Sequence, residues 1–152
     1  MARLDHDLFD RFYKSWRGID IAYDKIAADC GMTNNGMTVL TLLYKNRAPM
    51  SQHELSQELH LPRQTVTNVI DNLEARGYAT RSIDPKDRRS RVVTLTEEGR
   101  ISGRRIGRAM REVEIAAFSA LSVEECQAVV GLMETLWHSF AQVLKERDQD
   151  AS

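Results

Sequence analysis

Long apolar runs are missing from this sequence, as are most of the residues that break or cross-link a chain. No stretch approaches the roughly 18 apolar residues of a membrane-spanning helix, and the first residues contain no apolar signal core. The two cysteines, Cys30 and Cys126, form no disulfide framework. With three prolines and eight glycines among 152 residues, low-complexity disorder is not expected. These absences predict a globular, cytoplasmic protein.

Recognisable catalytic motifs are also missing. The sequence contains no Gly-rich phosphate loop, no Gly-x-Ser-x-Gly element and no His-Glu-x-x-His pair. Its four histidines are scattered along the chain, and neither cysteine belongs to a Cys-x-x-Cys pair. We therefore expect no enzyme, no cofactor and no bound metal.

Residues 51–76 carry the pattern of two consecutive helices. Ser51 and Glu54 have the spacing of a capping box, and a second helix is expected from about Pro62 to Arg76, ended by Gly77. Its apolar stripe consists of Val66, Val69, Ile70 and Leu73, and its opposite face of Gln64, Asn68, Asp71 and Ala75, flanked by Thr67 and Asn72. Amides and hydroxyls on such a face can read base edges in a major groove. Taken alone, an ordinary amphipathic helix with a solvated face explains it equally well.

A cationic hairpin is predicted directly after these helices. The runs from Tyr78 to Ile83 and from Arg91 to Leu95 are typical of short strands, and a turn-forming segment joins them. Five basic and two acidic residues occur between positions 81 and 91, and residues 76–111 contain 11 basic and four acidic residues in a chain of net charge −1. Such a loop suits phosphate contact or a narrow minor groove. A solvated turn would explain any single arginine, but it explains the whole set less well.

The combined pattern resembles the MarR family of bacterial transcriptional regulators. The matching residues are Ser51, Leu55, Leu59, Leu61, Thr65, Val66, Thr67, Leu73, Glu74, Gly77, Tyr78, Arg81, Asp84, Asp87, Arg88, Arg89, Val92, Leu95, Thr96 and Gly99, and they span about a third of the chain. The resemblance implies a mainly α fold with a small β-hairpin wing. It also implies a sequence-specific repressor that binds a pseudo-palindromic site on double-stranded DNA as a homodimer.

Residues expected to contact DNA come from both predicted elements. They are Ser51, Arg63, Gln64, Thr65, Thr67, Asn68, Arg81, Lys86, Arg88, Arg89 and Arg91. By resemblance, Arg89 is the wing-tip arginine that enters the minor groove. Asp84 and Asp87 are expected to support the wing.

Both ends of the chain are predicted to form helices of a dimerisation region. Apolar residues recur at helical spacing over residues 4–29, and a capping box at Ser122 and Glu125 precedes a wide stripe. That stripe consists of Cys126, Val130, Met133, Trp137, Phe140 and Leu144. The predicted boundaries are residues 1–35 and 97–152 for dimerisation and residues 36–96 for the winged helix. A buried helix is expected from Met37 to Tyr44.

The resemblance further implies release from DNA by a small aromatic or amphipathic effector. Candidate lining residues are Phe12, Trp16, Tyr23, Met37 and Met110, each of which core packing would also explain. One alternative is a redox response of the same fold through Cys30, and another is a helical protein-interaction module. Arginines on the helix after the wing, from Arg100 to Arg111, either attract the DNA backbone or form a solvated or acid-paired face.

Overall fold

The computed structural model describes residues 6–85 and 87–150. Lys86, one of the predicted DNA contacts, lies outside the described residues. The elements in chain order are α1 (His6–Asp29), α2 (Asn34–Asn46), β1 (Met50–Ser51), α3 (Gln52–Glu58), α4 (Arg63–Ala75), β2 (Ala79–Ile83), β3 (Arg91–Leu95), α5 (Glu97–Phe118) and α6 (Val123–Asp150). The mainly α fold with a small β wing is confirmed.

Local capping sets the helix boundaries. Ser51 Oγ accepts the backbone N–H of Glu54 at 3.1 Å, and the Glu54 carboxylate accepts the backbone N–H of Ser51, which is the predicted capping box. At the end of α4, Gly77 has a φ of 70°, which a residue without Cβ adopts at little cost. The N–H of Tyr78 then closes the turn by donating to Leu73 O at 2.8 Å.

The predicted bounds of α2 are wrong at both ends. The helix begins at Asn34, three residues before the expected Met37, because Thr33 Oγ1 accepts the N–H of Gly36 and caps it. It continues to Asn46 and ends at Arg47, whose φ of 59° is left-handed, rather than stopping near Tyr44. The polar residues before Met37 suggest a break between two helices, but one of them, Thr33, is the N-cap of α2.

The wing belongs to a three-stranded sheet rather than to the predicted two-stranded hairpin. Its order is β1–β3–β2 with antiparallel pairing throughout. Strand β1 pairs Met50 with Val93 and Ser51 with Val92, while β2 pairs Ala79 with Leu95 and Ile83 with Arg91. Because Ser51 also caps α3, this short strand ties the first helix of the helix-turn-helix to the wing.

One apolar core underlies the winged helix. Its fully buried side chains include Met37, Leu40, Leu55, Ile70, Leu73, Val93 and Ile106, together with Ala27 of α1. The chain divides into two compact units, residues 1–110 and 111–152. The first unit therefore contains α1 and the beginning of α5 in addition to the winged helix. The boundaries predicted near residues 35 and 96 stay predictions.

Membrane-spanning character is limited among the described helices. None of these helices is by itself long and apolar enough to cross a membrane. Helices α5 and α6, which are separated by a bend, have the length and composition of a membrane span only when they are counted together.

Candidate nucleic-acid interface

Helix α4 has one buried and one exposed face. Val66, Val69, Ile70 and Leu73 are buried in the core, as the stripe predicted. On the opposite side Gln64, Asn68, Asp71 and Ala75 are exposed. The helix is thereby fixed by its apolar side, and its polar side is available to a partner.

The polar face of α4 is ordered by contacts within the helix. Gln64 Nε2 donates to Asn68 Oδ1 at 2.9 Å, which sets the two amides side by side. This pairing leaves the Asn68 NH2 group and the Gln64 carbonyl oxygen for further hydrogen bonds, the donor and acceptor that an adenine edge requires. Thr67 Oγ1 donates to Arg63 O at 3.0 Å, so its hydroxyl remains an acceptor.

Two further predicted contact residues lie at helix N-termini. Ser51 uses its hydroxyl oxygen as the acceptor of the α3 capping box, which leaves its O–H as the group able to meet a phosphate. Arg63 is the exposed first residue of α4, and its Nη2 lies 3.1 Å from Nδ1 of His53 on α3. This contact joins the beginnings of the two helices.

Arg81 is engaged within the protein. From strand β2 its Nη2 donates to Asp71 Oδ1 at 2.6 Å and to Thr67 O at 3.4 Å, and its Nη1 donates to the Glu74 carboxylate. Its backbone N–H also donates to Glu74 Oε1 at 2.8 Å, and only 17% of its side chain is exposed. The guanidinium thus joins the wing to three residues of α4. A phosphate contact by Arg81 stays a prediction, and the observed geometry is that of a clamp.

The wing loop is organised by Asp87. Its carboxylate accepts the backbone N–H of Arg89 at 3.0 Å and the hydroxyl of Ser90 at 2.8 Å. The hydrogen bond from the Arg89 backbone and, to a smaller extent, the one from Ser90 hold the pKa of the exposed Asp87 carboxyl below its ordinary value of 3.8. Asp84 and Ser90 close the loop, with Asp84 N donating to Ser90 O at 3.0 Å. Arg88, Arg89 and Arg91 are exposed, so cations surround a fixed turn.

The five predicted effector-lining residues lie at different depths in the first unit, and their role stays a prediction. Met37 is completely buried in the core, and Tyr23 and Met110 are partly buried against it. Phe12 and Trp16 lie on the outside of α1, with 38% and 48% of their surface exposed. A cleft of about 600 Å³ does occur in the first unit, but it lies between the α1–α2 turn and α4 and includes none of the five.

Sequence reasoning missed the contacts that several polar residues around α4 make. The carboxylates of Asp71 and Glu74 accept hydrogen bonds from the Arg81 guanidinium, and Arg76 Nη2 donates to Gly31 O at 2.7 Å. These partners are seven to 45 positions apart and lie on different elements, so only the fold brings them together. Cys30 is a partly buried free thiol packed against the core. Among the described residues, no three His, Cys, Asp or Glu side chains are grouped as metal ligands would be.

Fold and surface together define a winged helix-turn-helix DNA-binding protein. A sequence model of the MarR family matches residues 31–90. YkoM of Bacillus subtilis, described as an uncharacterized HTH-type transcriptional regulator, is 30% identical over 136 residues, which cover 84% of this chain and 82% of YkoM. The chain therefore belongs to the MarR family, whose members are transcriptional regulators rather than enzymes.

Solved structures share the fold across nearly the whole chain. The PcaV regulator of Streptomyces coelicolor, in complex with its natural ligand, has a TM-score of 0.75 at 23% identity and covers 91% of this chain and 98% of its own. The MepR–DNA complex of S. aureus has a TM-score of 0.75 at 20% identity, with coverages of 92% and 99%. At these identities the likeness establishes the architecture alone.

Proposed function

We propose that this protein is a sequence-specific repressor that binds a pseudo-palindromic site on double-stranded DNA as a homodimer in the cytoplasm. The observation that carries the proposal is the paired amide face of Gln64 and Asn68, exposed on a helix whose other side is buried. MepR, which has the same fold, was solved in complex with DNA, and this supports DNA binding as the function proposed for the present chain. Arg88 and Arg89 on the fixed wing loop supply cations beside that face.

Exposed apolar surface supports the dimer. In the first unit α1 presents Phe9, Tyr13 and Ile19 to solvent, and in the second unit α6 presents Leu132, Phe140 and Leu144. Contiguous apolar stripes on two long helices are unusual for a monomer and fit a self-complementary interface. A two-fold dimer would place two α4 helices about one DNA turn apart, on the two halves of a palindrome.

Release by a small molecule completes the proposal. PcaV, which shares the architecture, was solved with its natural ligand. A ligand that binds a conformation of the dimer unable to fit both half-sites would lower operator affinity. Because such a ligand binds the native state, it would also raise the melting temperature.

Base reading by α4 is tested with Asn68→Ala. We expect it to cost about 1–3 kcal/mol at the operator and to relax preference at one or two base pairs, while affinity for random DNA changes little. Gln127→Ala, which removes an exposed amide from α6, is the matched control and should leave both affinities unchanged. Equal losses on operator and random DNA for Asn68→Ala would contradict base reading by this face.

Backbone contact by the wing is tested with Arg89→Ala. We expect it to weaken binding to operator and scrambled DNA alike, because the contact is mainly electrostatic. The slope of affinity against salt should fall by roughly one unit for each phosphate that the side chain no longer neutralises. Affinity measured over a salt series on both DNAs gives this slope. An unchanged slope would show that Arg89 does not contact the backbone.

A further inference from the structure

Two amide side chains on the exposed face of α4 form one hydrogen-bonded pair. Gln64 and Asn68 lie about one helical turn apart, and Gln64 Nε2 donates to Asn68 Oδ1 at 2.9 Å. Both residues are exposed, while Val66, Val69 and Ile70 anchor the other side of the helix in the core. A side-chain amide has an oxygen that accepts and an NH2 group that donates. The pair therefore retains an acceptor, Gln64 Oε1, and a donor group, the Asn68 NH2.

An acceptor beside a donor group matches one kind of base edge in the major groove. Adenine presents N7 as an acceptor and N6–H as a donor, whereas guanine presents two acceptors, cytosine a donor, and thymine an acceptor beside a methyl group. Guanine would leave Gln64 Oε1 without a donor, which is costly once water is excluded. Exchanging the oxygen and nitrogen of both amides still leaves one acceptor and one NH2 group, so adenine is matched whichever amide donates to the other.

The side chains beside this pair that suit guanine or cytosine are engaged within the protein. An arginine reads guanine with two N–H donors, and a carboxylate accepts from cytosine N4. Arg63 Nη2 lies 3.1 Å from His53 Nδ1, and Asp71 Oδ1 accepts from Arg81 Nη2 at 2.6 Å. The chemistry of this face is therefore set by the paired amides, and it favours an A·T pair.

We propose that Gln64 and Asn68 read one adenine of each half-site as a single unit, and that N6-methylation of this adenine blocks the reading. In a Watson–Crick pair one N6–H bonds to thymine, and the other faces the major groove. A methyl group on N6 of the paired adenine replaces the N–H in the groove. The amide acceptor then loses its donor and meets an apolar group, so it is left unsatisfied at the interface. This recognition rests on the proposed function, because it concerns the operator.

Operator DNA with single altered adenines tests the recognition of this base. An operator is first selected from random duplexes with the whole protein. Each adenine is then replaced in turn by 7-deazaadenine, which lacks the N7 acceptor, by purine, which lacks the 6-amino group, and by N6-methyladenine. At one adenine in each half-site, all three replacements should lower affinity by about tenfold, within the range for one well-formed base contact. Absence of any adenine that responds to all three would overturn the proposal.

Variants of the two amides test whether they act together. Gln64→Ala and Asn68→Ala should each remove the sensitivity to N6-methylation at the same adenine, and both should fold, since alanine favours a helix and both positions are exposed. Affinity of the double variant should lie within about twofold of the weaker single variant, because residues of one network are not additive. Gln142→Ala is the matched control, since Gln142 Nε2 donates to Glu146 Oε1 at 2.9 Å on α6. It should change neither affinity nor sensitivity.

Failure of this recognition and failure of the proposed function give different results. Losses that multiply in the double variant, or that map to two different base pairs, would overturn the single unit. A preferred operator that binds equally well with N6-methyladenine at every adenine would overturn the recognition while sequence-specific binding stands. A selection that yields no preferred sequence would overturn the proposed function, and the recognition of adenine with it.

Discussion

Replacing Arg81 by alanine should separate a structural clamp from a phosphate contact. The Arg81–Glu74 pair is largely shielded from solvent, with 17% and 32% of the side chains exposed, and we assign it about 1.5 kcal/mol, the lower range for a charged hydrogen bond. Asp71 is 59% exposed, so its pair with Arg81 is worth about 0.5 kcal/mol after solvent screening. Arg81→Ala should therefore lower the free energy of unfolding by about 2 kcal/mol. For a chain of this length the melting temperature should fall by roughly 4–8 °C at fixed protein concentration.

The same substitution should affect DNA binding through Asp71. Without the guanidinium, the Asp71 carboxylate remains uncompensated on the exposed side of α4 and repels phosphates. Adding Asp71→Asn to Arg81→Ala should therefore restore much of the DNA affinity without restoring the stability. Arg81→Lys keeps the charge but loses the planar fork, so its stability should lie between those of the original protein and the alanine variant.

Thermal unfolding and affinity over a salt series decide between the two roles. A clamp predicts a clear loss of stability and rescue of DNA binding by Asp71→Asn. If Arg81→Ala left the melting temperature unchanged and lowered the salt slope by roughly one unit per subunit, Arg81 would be a phosphate contact, as the sequence pattern suggested.

Three other perturbations test separate parts of the structure. Gly99→Ala should destabilise the fold by more than about 3 kcal/mol, since its Cβ would lie 1.9 Å from Tyr78 O, whereas Gly107→Ala on the same helix meets only an ordinary contact and should be neutral or stabilising in thermal unfolding. Asp87 has its pKa lowered in the folded wing, so its contribution to wing order should be complete above pH 3.8 and be lost as pH falls through the folded-state pKa; an NMR titration midpoint at or above 3.8 would contradict this. If the proposed dimer forms through α6, Phe140→Lys should dissociate it in sedimentation experiments, while Gln142→Lys on the opposite side of α6 should not.

Local signals in the sequence predicted the elements of the winged helix closely. Helix α4 begins one residue after the expected Pro62 and ends one before the expected Arg76, because the apolar stripe and Gly77 both lie within the segment itself. Strand β3 has the predicted bounds for the same reason. By contrast, β1 is only two residues long, too short for any periodicity, and forms because β3 offers it a pairing edge.

Contacts between elements could not be predicted in the same way. Arg81 carries its positive charge in any fold, but whether it faces DNA or Glu74 depends on how β2 lies against α4. Likewise, the sequence favours the core over a pocket for Met37 without excluding either, and only the packing of the elements shows that its side chain is completely buried. The cleft has no sequence signature, since its walls are brought together from residues about 30 to 50 positions apart.

Two arginines hold the middle and the end of α4 to other elements of the first unit. Arg81 fixes the middle of α4 to the wing through Thr67, Asp71 and Glu74, while Arg76 fixes its end to the α1–α2 turn at Gly31. The apolar stripe alone would allow the helix to shift along the core, since dispersion contacts have little directional preference. The two guanidiniums add direction, because each donates along fixed N–H vectors to atoms on another element. These two contacts therefore set how the helix that carries Asn68 is oriented relative to the wing and to the α1–α2 turn.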